Sequence, residues 1–135
     1  MPDLLPLSER ACFCGTGEIF ECCCQPLLQG KVFAESAEQL MRSRYSAYAT
    51  GNIDYLLNTW DESQRASLDV DAIRDWANRS QWLGLQILTC ERGLAGDESG
   101  RVEFVASFKN SEGLQLHREN SQFVNRQGRW YFLTD

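Results

Sequence analysis

The chain has 135 residues, of which 43% are hydrophobic, 11% aromatic and 24% charged. This composition can bury the core of one ordinary domain with at most a small appendage, and it excludes a disordered or collagen-like chain. The formal net charge of −6 opposes general attraction to nucleic acid or anionic lipid, so we expect neither nucleic acid nor a membrane as a partner.

The beginning of the chain, Met1-Pro-Asp-Leu-Leu-Pro, lacks the positive segment and the continuous apolar stretch of a secretory signal. No apolar run approaches the roughly 18 residues that a membrane span needs. We therefore expect a cytoplasmic protein. In that reducing compartment cysteines serve metal binding or redox chemistry more often than disulfides.

Residues 1–33 form a cysteine-rich head, which contains five of the six cysteines of the chain. The head has turn-forming residues and little periodicity, so it cannot build a core alone. Cys12-Phe-Cys14 is followed by a Gly-Thr-Gly turn and later by three consecutive cysteines that begin at Cys22. Zinc accepts four thiolates at tetrahedral corners and supplies folding energy to such segments, so this spacing predicts one structural zinc ion. Reduced structural thiols or a redox pair are the alternative.

Three helices are predicted after the head. Ser36 and Gln39 form a capping box, and apolar residues at helical spacing then predict an amphipathic helix over 36–50. Asn52 and Asp69 are suitable N-cap residues for two shorter helices, each with one apolar face.

After Gln81 apolar residues alternate with polar ones, which predicts strands joined by short turns. Turn-forming segments at 93–100, 110–113 and 125–128 divide this part of the chain into four antiparallel strands. Three helices followed by four strands give an α+β fold class, and we treat residues 34–135 as one domain.

The cysteine spacing resembles the SEC-C zinc motif, named for the C-terminus of the SecA translocation ATPase, which reads C-x-C-x8-C followed by C or H. The resemblance implies four zinc ligands, Cys12, Cys14, Cys23 and Cys24. Cys22 is left spare, and its neighbours leave open whether it replaces one of them. A closed four-sulfur site has no open position for water or substrate, which indicates structure or recognition rather than metal catalysis. Cys90, alone at the end of a strand, is expected to be a small buried hydrophobe.

Several further segments together resemble the YchJ family of bacterial proteins over nearly the whole chain. They include Leu40-Met-Arg-Ser-Arg-Tyr-Ser-Ala-Tyr48, Asp54-Tyr-Leu-Leu-x-Thr-Trp60, His117-Arg-Glu-x-Ser121-x-Phe123 and Gly128-Arg-Trp-Tyr131. The resemblance implies a SEC-C head on an NTF2-like domain, in which helices pack on a curved antiparallel sheet and form a cone with an internal pocket. It implies no assigned biochemical activity, and dimerisation through the sheet is a family-level expectation.

This sequence departs from related patterns in two respects. Many members of the family have a second SEC-C motif, whereas this chain stops at Asp135. A function that needs two SEC-C motifs is therefore not implied. The SecA-type motif is rich in lysine between its cysteine pairs, whereas this chain has Glu18 and Glu21 there. Binding of an acidic protein or RNA through basic charge is therefore not implied either.

A pocket is the second candidate site. Arg44 falls within the apolar stripe of the helix over 36–50, where an unpaired guanidinium is costly. His117 and Glu119 share one face of the long strand with Ser121, because side chains alternate along a strand. We expect Arg44 to pair with Glu119, with His117 nearby. Aromatic residues that can line the same pocket are Tyr45, Tyr48, Tyr55, Trp60, Trp76, Trp82 and Trp130.

Two functions of different classes follow. The first is a non-enzymatic zinc-binding module that binds a ligand or presents Phe13, Ile19 and Phe20 to a protein partner. The second is an NTF2-like enzyme that uses His117 and Glu119 as an acid/base pair on a small ligand. Exposed apolar side chains on the cysteine loop would favour the non-enzymatic module. A hollow cone with both polar residues inside it would favour the enzyme. We expect the non-enzymatic role, because no nucleophile or phosphate-binding motif accompanies the histidine; a polar network that only fixes helix to sheet is the simplest role for the pair.

Overall fold

Helices occupy the first half of the chain and strands the second. The computed structural model describes residues 5–134. In that range helices α1–α5 span Gln25–Leu28, Ala37–Thr50, Ile53–Thr59, Glu62–Arg65 and Val70–Arg79, and strands β1–β4 span Gln81–Arg92, Ser99–Asn110, Gly113–Arg126 and Arg129–Leu133. The predicted α+β class is confirmed, and the single turns α1 and α4 were not predicted. Among the described residues, no helix is both long and apolar enough to cross a membrane.

Helix α2 begins and ends where its terminal residues predict. The Ser36 hydroxyl accepts a hydrogen bond from the backbone N–H of Gln39 at 3.1 Å, and the Gln39 side chain accepts one from the N–H of Glu35 at 2.7 Å. Gly51 ends the helix at φ 74°, in the left-handed region that glycine adopts without strain. Asn52 and Asp69 cap α3 and α5 through their side chains, as predicted.

The four strands form one antiparallel sheet in the order β1-β2-β3-β4. Alternate residues of β2, from Val102 to Phe108, are buried on the inner face, which α2 covers. Register shifts interrupt the β1–β2 pairing between Trp82 and Gly84 and again between Ile87 and Thr89. Such bulges bend a strand and increase its twist, so they curve the sheet around the helix.

The core lies between α2 and the inner face of the sheet, and the head packs against its edge. Four buried head residues, Cys12, Cys14, Phe20 and Cys24, form a small second cluster. Phe13, Leu28 and Leu85 contact both clusters, so the head is attached to the larger domain by apolar contacts.

Two glycines fix the start of α2 against the β1–β2 connection. The carbonyl oxygen of Gly93 accepts a hydrogen bond from the N–H of Ala37 at 2.9 Å. A Cβ atom on Gly100 would lie 2.4 Å from the Cα atom of Gly93, so the two backbones can approach only because position 100 has no side chain.

Candidate functional site

The head brings four thiols together. The Sγ atoms of Cys12, Cys14, Cys23 and Cys24 all lie within 4.8 Å of one another. Two of the separations are 3.6 Å, between Cys14 and Cys23, and 4.0 Å, between Cys23 and Cys24. Sulfur atoms bound to one tetrahedral ion at about 2.3 Å would be about 3.8 Å apart, so this donor set fits a metal ion. Cys22 is exposed and lies outside the group.

The loop that carries these thiols, residues 11–24, is called the knuckle below. Ala11 and Ile19 form an isolated antiparallel bridge, and the N–H of Cys12 donates to the carbonyl oxygen of Glu18 at 2.8 Å. Gly15 makes the turn at φ 84°, and a Cβ atom there would lie 3.2 Å from the carbonyl oxygen of Leu85. Glycine is therefore needed for the turn and for the close approach to β1.

Two polar contacts join the knuckle to α2. Ser46, which is fully buried, places its hydroxyl 3.6 Å from the Sγ atom of Cys12. Arg42 donates from Nη1 to the carbonyl oxygen of Cys14 at 2.7 Å and from Nε to Glu38 at 2.9 Å. The sequence reasoning missed both residues. Their four-residue spacing, which places them on one side of a helix, was the available signal.

The thiols strongly affect one another. Hydrogen bonds from Cys14 and Cys24 lower the pKa of Cys12, whereas the hydrogen bond with Cys12 raises the pKa of Cys24. Burial raises the pKa of Cys23 to about 11. A bound metal ion supplies the positive charge that lets all four act as thiolates.

The second feature is a cavity of about 210 Å³ between α2 and the inner face of the sheet. Trp76 packs edge-to-face with Trp82, with ring centroids 5.5 Å apart, and Tyr48 lies 5.1 Å from Trp76. The residues that line the cavity are mainly aromatic: Met41, Arg44, Tyr45, Tyr48, Trp60, Trp76, Trp82, Phe104, Ala106, His117, Glu119, Ser121, Phe132 and Thr134.

Arg44 is buried at the cavity, but it does not pair with Glu119 as expected. Its Nη1 atom donates to the carbonyl oxygen of Leu56 and to the hydroxyl of Thr59, both at 2.8 Å. No ion pair among the described residues joins it to a carboxylate. Burial lowers the pKa of Arg44 to about 10. The prediction of this ion pair is wrong, because the guanidinium forms its hydrogen bonds with neutral acceptors of α3 instead.

The predicted set on β3 is assembled on the cavity wall. His117 Nε2 lies 3.3 Å from Glu119 Oε1, and the Ser121 hydroxyl donates to the other oxygen of Glu119. The hydrogen bond from His117 is the main reason that the pKa of Glu119 lies below its ordinary value. The His117 ring packs against Trp76, with ring centroids 5.3 Å apart. This arrangement can bind a polar group or transfer a proton.

Comparison with known proteins agrees with this geometry. Residues 36–135 match the model of a family described as "YchJ, middle NTF2-like domain". The chain belongs to the YchJ family. Two relatives are UPF0225 proteins from Geobacter sulfurreducens and Actinobacillus succinogenes. They are 44% and 45% identical over 90% of this chain, and the matches cover 75% and 79% of the relatives.

Two solved structures resemble this chain over the head as well as over the NTF2-like domain. Both are SEC-C motif containing proteins, from Psychrobacter arcticus and Rhodopseudomonas palustris, with TM-scores of 0.82 and 0.84. They are 34% and 40% identical to this chain, cover 94% and 93% of it, and are themselves covered to 82% and 96%. The predicted SEC-C head and NTF2-like fold are thereby confirmed.

The expectations for three other residues need correction. Trp130, near the start of β4, is buried but does not line the cavity. Tyr55 does not line it either, and its hydroxyl forms a hydrogen bond with Ser43 at 2.7 Å. Cys90 is exposed rather than buried, and its thiol donates to Glu38 at 3.4 Å. It faces the polar first turn of α2, which covers a strand end less completely than the apolar stripe covers the strand centre.

Proposed function

We propose that the protein is a non-enzymatic module that binds a small ligand in the aromatic cavity, and that its knuckle holds one structural zinc ion. The cavity carries this proposal, because it combines an aromatic lining with buried Arg44 and the polar set of His117 and Glu119. Small-molecule sites typically have this composition, with a few placed polar groups in a mostly apolar wall. A volume of about 210 Å³ suits a ligand of one ring with a short tail.

Zinc is supported by the donor chemistry. Four sulfur donors select soft or borderline ions, and a tetrahedral sulfur site is typical of zinc. With all four positions filled by protein, the ion would stabilise the knuckle rather than act on a substrate. Metal analysis of Cys14→Ser tests the ligand set, with Cys22→Ser as the matched control. We expect one zinc per chain in Cys22→Ser and a loss in Cys14→Ser; retention of full zinc in Cys14→Ser would refute the set.

The knuckle gives less support to a protein-binding surface. Phe20 is 3% exposed, and its ring packs edge-to-face with Phe13 at 5.5 Å between centroids. Of the three apolar residues predicted to face a partner, only Ile19 is exposed, because the other two attach the knuckle to its own domain. This favours the cavity over the knuckle as the binding site.

The four tryptophans provide a direct test of ligand binding. Trp60, Trp76 and Trp82 line the cavity, whereas Trp130 lies outside it. Zinc-loaded protein is titrated with phenylacetate and with phenylacetamide while the indole N–H signals are followed by NMR. We expect at least one probe to shift the three cavity signals and to leave Trp130 in place. If neither probe shifts them, or if all four move alike, the cavity is not the binding site.

The contact between His117 Nε2 and Glu119 Oε1 at 3.3 Å favours an enzyme as the second candidate. A carboxylate that orients an imidazole can support proton transfer on a bound ligand. Deuterium exchange into phenylacetone, whose C–H bonds beside the carbonyl are weakly acidic, is the test. An enzyme requires exchange faster than in buffer and loss of that excess in His117→Gln. Exchange at the buffer rate would leave the non-enzymatic module as the function.

A further inference from the structure

Arg44 is a buried cation without an anionic partner. Its side chain is 3% exposed, and its guanidinium carbon lies 4.7 Å from the ring centroid of Trp60 and 4.5 Å from that of Phe132. Its two hydrogen bonds go to a backbone carbonyl and a hydroxyl, both neutral. Burying a charge is expensive unless a group of opposite charge compensates for it. An anion beside the guanidinium would provide that compensation.

The acidic side chain on the cavity wall, Glu119, already has hydrogen-bond partners. One oxygen of Glu119 contacts His117 at 3.3 Å, and the other accepts from Ser121. Both partners lie on the same strand as Glu119, so they hold the carboxylate against β3. Glu119 acts on Arg44 only through space, as a minor contribution to the pKa of the guanidinium.

The free donors of Arg44 reach the cavity. Both hydrogen bonds use Nη1, which leaves the N–H groups of Nε and Nη2. No fully buried side-chain nitrogen among residues 5–134 lacks a partner, so these remaining donors touch open space. Arg44 lines the aromatic cavity, and that cavity is the space they meet. Adjacent guanidinium donors match the two oxygens of a carboxylate.

We propose that the cavity binds a small aromatic monocarboxylate, with its carboxylate on the free edge of Arg44 and its ring against Trp76 and Trp82. This inference rests on the proposed ligand-binding function and specifies the ligand class. The two tryptophans, which pack edge-to-face on each other, offer aromatic surface to the ring, and the acid supplies the negative charge that Arg44 has no partner for. The volume limits the ligand to about one ring.

The matched probes phenylacetate and phenylacetamide test this inference, because they have nearly the same shape and differ in charge. Dissociation constants are measured on zinc-loaded protein by calorimetry. We expect phenylacetate to bind at least about tenfold more tightly, because the neutral amide leaves the buried guanidinium without a partner of opposite charge. Equal affinity for the two probes would overturn the carboxylate inference and leave the proposed ligand site intact. Failure of both probes to bind would overturn both.

Two variants test whether the charge of Arg44 causes the preference for phenylacetate over phenylacetamide. Arg44→Gln keeps N–H donors for α3 but removes the charge, so the preference for phenylacetate should disappear. Arg118→Gln is the control, because Arg118 is exposed on the opposite face of β3 and pairs with Glu103 at 2.9 Å. A preference that survives in Arg44→Gln, or that is lost in Arg118→Gln, would overturn the assignment. If Arg44→Gln does not fold, the comparison of the two probes on the wild-type protein still decides.

Discussion

Replacing Gly100 with alanine tests whether the β1–β2 connection fixes the start of α2. The new Cβ atom would lie 2.4 Å from the Cα atom of Gly93 and 2.6 Å from its nitrogen. These are backbone atoms, so no side chain can rotate to relieve the clash. Gly100 does not have a left-handed φ, so the whole cost is steric. Overpacking costs about 1–3 kcal/mol and more where the backbone must move, so we expect a loss of at least about 3 kcal/mol.

Gly84→Ala is the matched control. Gly84 also lies in a strand without a left-handed φ, and a Cβ atom there meets no atom within 4 Å. Its stability should be unchanged or higher by up to about 1 kcal/mol, because alanine restricts the unfolded chain. The free energy of unfolding is measured by urea titration at one fixed zinc concentration, since bound metal raises apparent stability. If Gly100→Ala stays within about 0.5 kcal/mol of the wild type, the close approach does not determine stability.

Three further changes test other parts of the structure. Arg42→Ala removes the donor to the Cys14 carbonyl, so release of zinc to a chelator should accelerate about 5–30-fold for a lost charge-assisted bond of about 1–2 kcal/mol, with an unchanged rate as the contrary result. Arg126 donates to buried Asp61 at 2.6 Å and holds the pKa of that carboxyl below its ordinary value of 3.8. The stabilisation that this ion pair contributes is therefore present above pH 3.8 and is lost as the pH falls through the lowered pKa. Asp61→Asn should lower the Tm at pH 7, and its Tm should differ less from that of the wild type in acid. A Tm difference that does not change with pH would contradict this. Cys90→Ser should keep both full zinc content and wild-type stability, and loss of zinc in this variant would identify Cys90 as a ligand.

Local signals predicted the elements well. The capping residues Ser36, Asn52 and Asp69 each start a helix, because a side-chain acceptor for a free backbone N–H acts within one turn and needs no tertiary context. The cysteine spacing likewise predicted the group of thiols, since a short loop with a glycine turn can return its second pair only near the first.

Side-chain contacts and exposure that depend on tertiary packing were less predictable. The expected partner of Arg44 was the carboxylate of Glu119, yet α3 offers two neutral acceptors that depend on how α2 and α3 pack. Cys90 follows two register shifts in β1, so its exposure depends on where the strand end lies relative to α2. Phe20 was expected on the surface because the sequence does not reveal that the knuckle packs against Leu85.

Helix α2 contributes residues to both candidate sites. Arg42 and Ser46 contact the knuckle, whereas Arg44, Tyr45 and Tyr48 form part of the cavity wall. If the metal ion and the ligand require the same position of α2, thermodynamic linkage makes their coupling reciprocal, so each would raise the affinity for the other by the same factor. Removal of the metal would then weaken ligand binding in a cavity that has no cysteine among its lining residues.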